Sequence, residues 1–187
     1  MGESFNIVKQ FKVNNILLNG GSLVKLEKSL INELDKLKIP YNFGAADDSI
    51  EINSYLFYIL NPGGNTNEND NSLVLCFELL NIQFLSTGDI STKIEEKLIN
   101  EYSALNANIL KVSHHGSITS NSELILNFIK PKYAIIQVGL NNQFNHPSDI
   151  VIDRLSKRNI KTFKTSINGN IKIIIRANAI TVIPFKT

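Results

Sequence analysis

Apolar residues recur along this chain in two rhythms, every third or fourth position and every position in short runs, and the two alternate. Phe5, Ile7, Val8 and Phe11 predict a short helix over residues 4–11. Residues 13–18 then read as a strand, broken by Asn19-Gly20-Gly21. Leu23, Leu26, Leu30, Leu34 and Leu37, with Lys and Glu between them, predict a long amphipathic helix that Ser22 caps and Pro40 stops. Residues 51–60 read as one strand closed by Asn61-Pro62-Gly63-Gly64, and the Asn-rich stretch 65–71 as a loop. Two strands, 72–79 and 82–86, form a hairpin about Leu80-Asn81. Beyond it the pattern predicts helix 94–102, strand 109–112, helix 122–129, strand 133–138, helix 148–158 and a strand at 162–163. Two closing strands follow, 171–176 and 179–184, with turns at Asn168-Gly169 and Ala177-Asn178. Strand and helix alternating in this way predict an α/β layer rather than a helical bundle.

The composition adds bounds. The 187 residues, 43% hydrophobic and 19% charged, suit one domain spanning 1–187. The single cysteine, Cys76, lies in an apolar run and is expected to be a buried thiol, so no disulfide framework exists. No apolar stretch reaches the roughly 18 to 20 residues of a membrane span, and the N-terminus does not read as a signal peptide; a cytoplasmic location is the default expectation. The formal net charge of +2 announces no nucleic-acid partner. From Ile150 onward, however, Arg154, Lys157, Arg158, Lys161, Lys164, Lys172, Arg176 and Lys186 face Asp153 alone, either a solvated face or a phosphate-facing surface.

The candidate chemistry sits where apolar runs end. Phe84-Leu85-Ser86 leads into Thr87-Gly88-Asp89, and Ile109-Leu110-Lys111-Val112 into Ser113-His114-His115-Gly116-Ser117. His146, the third of three histidines, follows another apolar run in Asn145-His146-Pro147. These groups can meet only if their strands lie side by side, which places a site at one edge of a sheet. Asp89 can cap the next helix or bridge two divalent cations for in-line attack on phosphorus. One imidazole of His114-His115 can ligate a metal while the other serves substrate or a proton. Gly116 and Ser117 offer a backbone N–H and a hydroxyl to a phosphate oxygen. His146 either completes this set or merely precedes a helix opening near Pro147.

The series Asn69-Asp70-Asn71-Ser72, Ser86-Thr87-Gly88-Asp89, Lys111-Val112-Ser113-His114-His115-Gly116-Ser117 and Asn145-His146-Pro147 resembles the metallo-β-lactamase-type domain of ComEC competence proteins. The resemblance covers nearly the whole chain. It implies a metallo-β-lactamase-like αββα sandwich and a two-metal (Zn or Mn) phosphodiesterase or nuclease connected with DNA uptake. By that resemblance Asp89 is the bridging metal ligand, His115 a metal ligand and His114 the catalytic group. His146 is a second metal ligand or a phosphate contact, and Ser117 with Gly116 binds phosphate. Family members also carry an N-terminal His-x-His-x-Asp-His cluster, whereas no histidine precedes His114 here. The expectation is therefore an N-terminally truncated domain with reduced metal occupancy, weak or absent hydrolysis, and possible self-association through an open sheet edge. The alternatives are a non-catalytic remnant or interaction module, and a plain nucleic-acid-binding module.

Overall fold

The computed structural model describes residues 3–21, 25–60, 67–177 and 179–185. The first unit is α1 (Ser4–Gln10), β1 (Ile16–Asn19), α2 (Lys25–Leu37) and β2 (Tyr41–Gly44). β1 and β2 pair in parallel, joined through the α2 crossover. Ile16, Leu18 and Tyr41 on one face pack against Val8, Leu30 and Leu34 of the two helices. Leu17 and Gly44 turn the other way. A Cβ on Gly44 would lie 2.7 Å from Ile59 Cδ1, so glycine there lets this small sheet close on the next layer. The Ser22 cap and Leu23, like the turn at 61–64 and the first residues of the Asn-rich loop, lie outside the described residues, as do Asn178 and Lys186.

β3 (Ser49–Ile52) and β4 (Tyr55–Ile59) come next. The single strand expected over 51–60 is thus a hairpin, turned at Asn53 and Ser54 with φ of 50° and 67°. Two consecutive left-handed residues match the twist of antiparallel strands, which is why so short a turn suffices. β5 (Leu75–Leu79) and β6 (Ile82–Ser86) form the expected hairpin about Leu80 and Asn81, again both at positive φ. The Asn-rich loop ends in a 3-10 turn, Asn69–Asn71, in which Asp70 and Asn71 are buried.

Then come α3 (Thr92–Glu101), β7 (Ile109–Lys111), α4 (Glu123–Ile129), β8 (Tyr133–Ile136), α5 (Asp149–Lys157), β9 (Lys161–Lys164), α6 (Thr165–Asn168), β10 (Asn170–Arg176) and β11 (Ala179–Phe185). Ser122 and Ser148 cap α4 and α5, their hydroxyls accepting from the N–H groups of Ile125 and Ile150. The seven strands β3 to β9 form one sheet in sequence order, antiparallel through β6 and parallel from β6 to β9. This is a mixed α/β architecture, and the α/β class expected from the sequence holds.

The main core lies on one face of the sheet. Leu85, Leu110, Val112, Ala134 and Ile136 pack there against Ile94 and Leu98 of α3, Leu126 of α4, and Val151 and Leu155 of α5. The opposite face carries an aromatic row, Phe57, Phe77 and Phe84, whose neighbouring ring centroids are 4.7 and 4.6 Å apart. Toward β9, Tyr133 meets β11, its hydroxyl donating to Ile180 O at 3.5 Å. No helix among the described residues is long and apolar enough to cross a membrane.

Candidate functional site

β6, β7 and β8 run parallel, so their C-terminal ends share one edge of the sheet. That edge receives Asp89 from the loop after β6, His114 and His115 from a 3-10 turn (Ser113–Gly116) after β7, and His146 from the loop after β8. The backbone makes the two strand ends meet: Thr87 Oγ1 donates to Lys111 O at 2.9 Å, and His114 N donates to Gly88 O at 3.1 Å. Gly88, at φ 56°, crosses so close to Ser72 that a side chain there would strike it. Ser72 Oγ in turn accepts from Asp89 N at 3.0 Å.

His114, His115 and Gly116 all take left-handed backbone, with φ of 47°, 53° and 85°. For the two histidines that conformation costs about 1–2 kcal/mol each, a cost tolerated where a side chain must be aimed. The aim is visible in His115. Its Nδ1 lies 2.6 Å from Gln137 O, which can only accept, so Nδ1 carries the hydrogen. In the neutral ring Nε2 is then the nitrogen with the lone pair, and it faces Asp89 Oδ2, 3.9 Å away. A metal-ligating histidine characteristically donates its other ring N–H to a carbonyl in this way. The His114 ring stands 6.4 Å from that of His115 and 5.7 Å from that of His146, and His146 is stacked on Phe144 at 5.9 Å. Burial, with help from the neighbouring His114 and His115, holds the His146 imidazole below the ordinary histidine range, while Asp89 opposes the shift.

Several residues of this arrangement went unmarked in the sequence reading. Lys111 Nζ donates to Gly88 O at 2.8 Å and stands 3.6 Å from Asp89 Oδ1. Burial lowers its ammonium below the lysine range, against the pull of Asp89. A lysine inside an otherwise apolar strand was the available signal. Asn142 accepts from His146 N at 2.9 Å and donates to His146 O at 2.7 Å, fixing that loop. Asn121 holds Ser113 at both N–H and C=O, each at 3.0 Å. The buried Glu95 carboxylate accepts from Asn121 N and Ser122 N.

Asp89, His114, His115 and His146 are therefore brought together. Gly116 and Ser117 are placed otherwise. Gly116 O accepts from Ser148 N at 2.9 Å and its Cα abuts Pro147, so it locks the two histidine loops together. Ser117 is buried, its hydroxyl 2.9 Å from Thr119 Oγ1. Four of the eight basic residues of the C-terminal excess have partners within the chain. Arg154 donates to Ser120 O and Asn121 O, Arg158 to Asn127 and Glu123, Lys157 pairs with Asp153, and Lys161 lies over the Tyr133 ring.

Asp89 and His115 have the donor chemistry of a Zn or Mn site, carboxylate oxygen with unprotonated imidazole nitrogen. Metal bonds of about 2.0–2.2 Å meeting at a tetrahedral angle put donors roughly 3.4 Å apart, somewhat closer than this pair. Among the described residues no three histidine, cysteine, aspartate or glutamate side chains converge as one ion requires. The donor type fits a divalent cation; among the described residues the donor number does not complete a site for even one ion.

The chain is 28% identical over 175 residues, 92% of its length, to ComE operon protein 3 of Bacillus subtilis (strain 168). It is 37% identical over 116 residues, 60% of its length, to competence protein ComA of Neisseria gonorrhoeae. The likeness is to ComEC-type competence proteins. Recombination protein 2 of Haemophilus influenzae is also similar, at 31% identity over 119 residues and 63% of this chain. No family model matches. The chain spans 23%, 17% and 15% of the lengths of these three relatives, less than a quarter of any. The ComEC-type resemblance read from the Asp89 and His114-His115 motifs thus stands.

Proposed function

We propose that this chain carries the Asp89–His115 part of a ComEC-like, metal-dependent phosphodiester hydrolase acting on DNA, on a metallo-β-lactamase-like αββα sandwich. The layer order supports the fold reading: α3–α5, the seven-stranded sheet, the small β1–β2 sheet seated through Gly44 on Ile59, then α1 and α2. One observation carries the functional reading. The Gln137 carbonyl takes the Nδ1 hydrogen of His115, which leaves Nε2, the other ring nitrogen, facing the Asp89 carboxylate as the one available to a metal.

Asp89 and His115 would be the residues to hold a divalent cation, which would supply Lewis-acid polarisation of a phosphoryl oxygen and activation of water. The chain's own groups do the remainder. Lys111 restrains Gly88 and neutralises Asp89. His114, whose ring lies 6.4 Å from that of His115 and 5.7 Å from that of His146, is assigned the proton at the scissile phosphate in this reading. His146, its loop fixed by Asn142, is biased to the neutral form and offers a hydrogen bond to a phosphate oxygen.

The test is release of labelled fragments from single-stranded DNA with Mn or Zn, beside the Asp89→Ala variant. Cleavage that EDTA stops and Asp89→Ala lowers by about 100-fold or more is expected. Cleavage unaffected by that substitution overturns the proposal. A second reading, a binding module without hydrolysis, is favoured by the small number of converging donors. It predicts no cleavage with either metal and DNA binding that survives EDTA.

A further inference from the structure

The loop from β8 to α5 displays an unusual pair of side chains. Leu140 and Phe144 are the most exposed large apolar residues among those described, at 75% and 67%. Phe144 stands against His146 of the histidine cluster, on a loop that is not loose. Asn145 N donates to Asn142 O at 3.2 Å, and the Asn142 side chain clasps His146 at both backbone groups. Exposing aromatic surface on a well-fixed loop carries a hydration cost with no return inside the fold. The Phe144 ring lies 21° from the plane of His146, which leaves its outer face open. Phe144 borders a cavity of about 330 Å³, lined also by His115, Gln137, Gly139, Asn142 and His146. Gly139 forms an open wall, since a Cβ there would meet nothing within 4 Å.

We infer that Phe144 is a stacking platform for one base of single-stranded nucleic acid, adjoining the phosphate-facing histidines. This rests on the phosphodiester reading above and names the part of the substrate that reading left unassigned. A flat apolar face next to imidazole donors matches a nucleotide, whose base is planar and whose phosphate is anionic. Stacking also supplies affinity where charge does not. The formal net charge is only +2, and Arg154 and Arg158 donate to Asn121 O and Asn127 within the fold. Base-on-aromatic stacking tolerates any sequence, because every base has a π-face. A duplex keeps its bases stacked on one another, so the platform selects a single strand.

The chain contains no tryptophan, so Phe144→Trp installs a single indole reporter at the platform. In EDTA, this variant is titrated with a short oligothymidylate and with an abasic deoxyribose-phosphate oligomer of equal length. Oligothymidylate is expected to quench the indole and the abasic oligomer to leave it unchanged. In parallel, wild type should bind oligothymidylate roughly tenfold more tightly than the abasic oligomer, a preference Phe144→Ala abolishes and Phe144→Tyr restores. Equal binding of the two oligomers by wild type, no binding of either, or a preference that survives Phe144→Ala overturns the inference. The two readings fail separately. Base-dependent quenching without metal-dependent cleavage removes the hydrolase and keeps the platform, whereas cleavage with base-blind binding does the reverse.

Discussion

Gly116 bears more of the site's geometry than any of the polar residues around it. It sits at φ 85° directly after two left-handed histidines, and a Cβ added there would lie 2.5 Å from Pro147 Cβ and 3.1 Å from Pro147 Cα. The loop carrying His114 and His115 therefore approaches the loop carrying His146 at a distance only glycine allows. Gly116→Ala must adopt an unfavourable backbone region, at about 1–2 kcal/mol, and must also push Pro147 away. We expect a loss of about 2–3 kcal/mol in urea unfolding, with changed His114 and His146 ring resonances. Unchanged stability and unchanged imidazole spectra would mean the loops do not depend on this contact.

At the scale of elements, Glu95 joins α3 to the start of α4. It is 2% exposed and its carboxylate oxygens accept from Asn121 N and Ser122 N. Asn121 passes the restraint on to Ser113, next to His114. Removing the carboxylate leaves two N–H groups without their acceptor, so Glu95→Ala should cost about 2–4 kcal/mol. Burial, the largest influence, raises the Glu95 pKa despite those N–H donors and Arg154. The folded chain then holds a proton that the unfolded chain releases. The associated stability is fully present below the ordinary 4.5 and is lost as pH rises through the raised folded value. The difference in unfolding free energy between wild type and Glu95→Gln should therefore shift against wild type over that window and be flat beyond it. A difference that does not vary with pH would show that folding leaves the Glu95 pKa where it was.

The same scale explains what was legible in the sequence. Long periodic helices, the β5–β6 hairpin and the junction residues Asp89, His114, His115 and His146 were readable because each is a local pattern. The β3–β4 hairpin was not, since Asn53-Ser54 lacks the glycine that usually marks such a turn and apolar residues resume at once on its far side. Lys111, Asn142 and Glu95 act through partners 23, 4 and 26 positions away, and only folding brings the distant ones into reach. Ser117 looked available as a donor because its bond to Thr119 depends on a local turn.

At the scale of the whole molecule, the strand edges among the described residues are unevenly protected. β3 is an outer strand of the seven-stranded sheet, and it borders a cavity of about 750 Å³ shared with Leu17, Asn42 and Phe43 of the small sheet. Phe43, Ile52, Tyr55, Leu56 and Tyr58 expose between 43% and 52% of their surface in this region. β1–β2 is a parallel pair only two strands wide, an arrangement ordinarily found within larger, covered sheets. An unpaired edge beside apolar side chains is a template for pairing with another chain. The expected consequence is self-association through β3, with Ile52 at its end 52% exposed. Sedimentation velocity should then give a coefficient that rises with concentration for wild type. Ile52→Lys, which places a charge at that edge, should hold the chain at the monomer value over the same range. A wild type that stays monomeric throughout would mean that the β3 edge is not self-complementary.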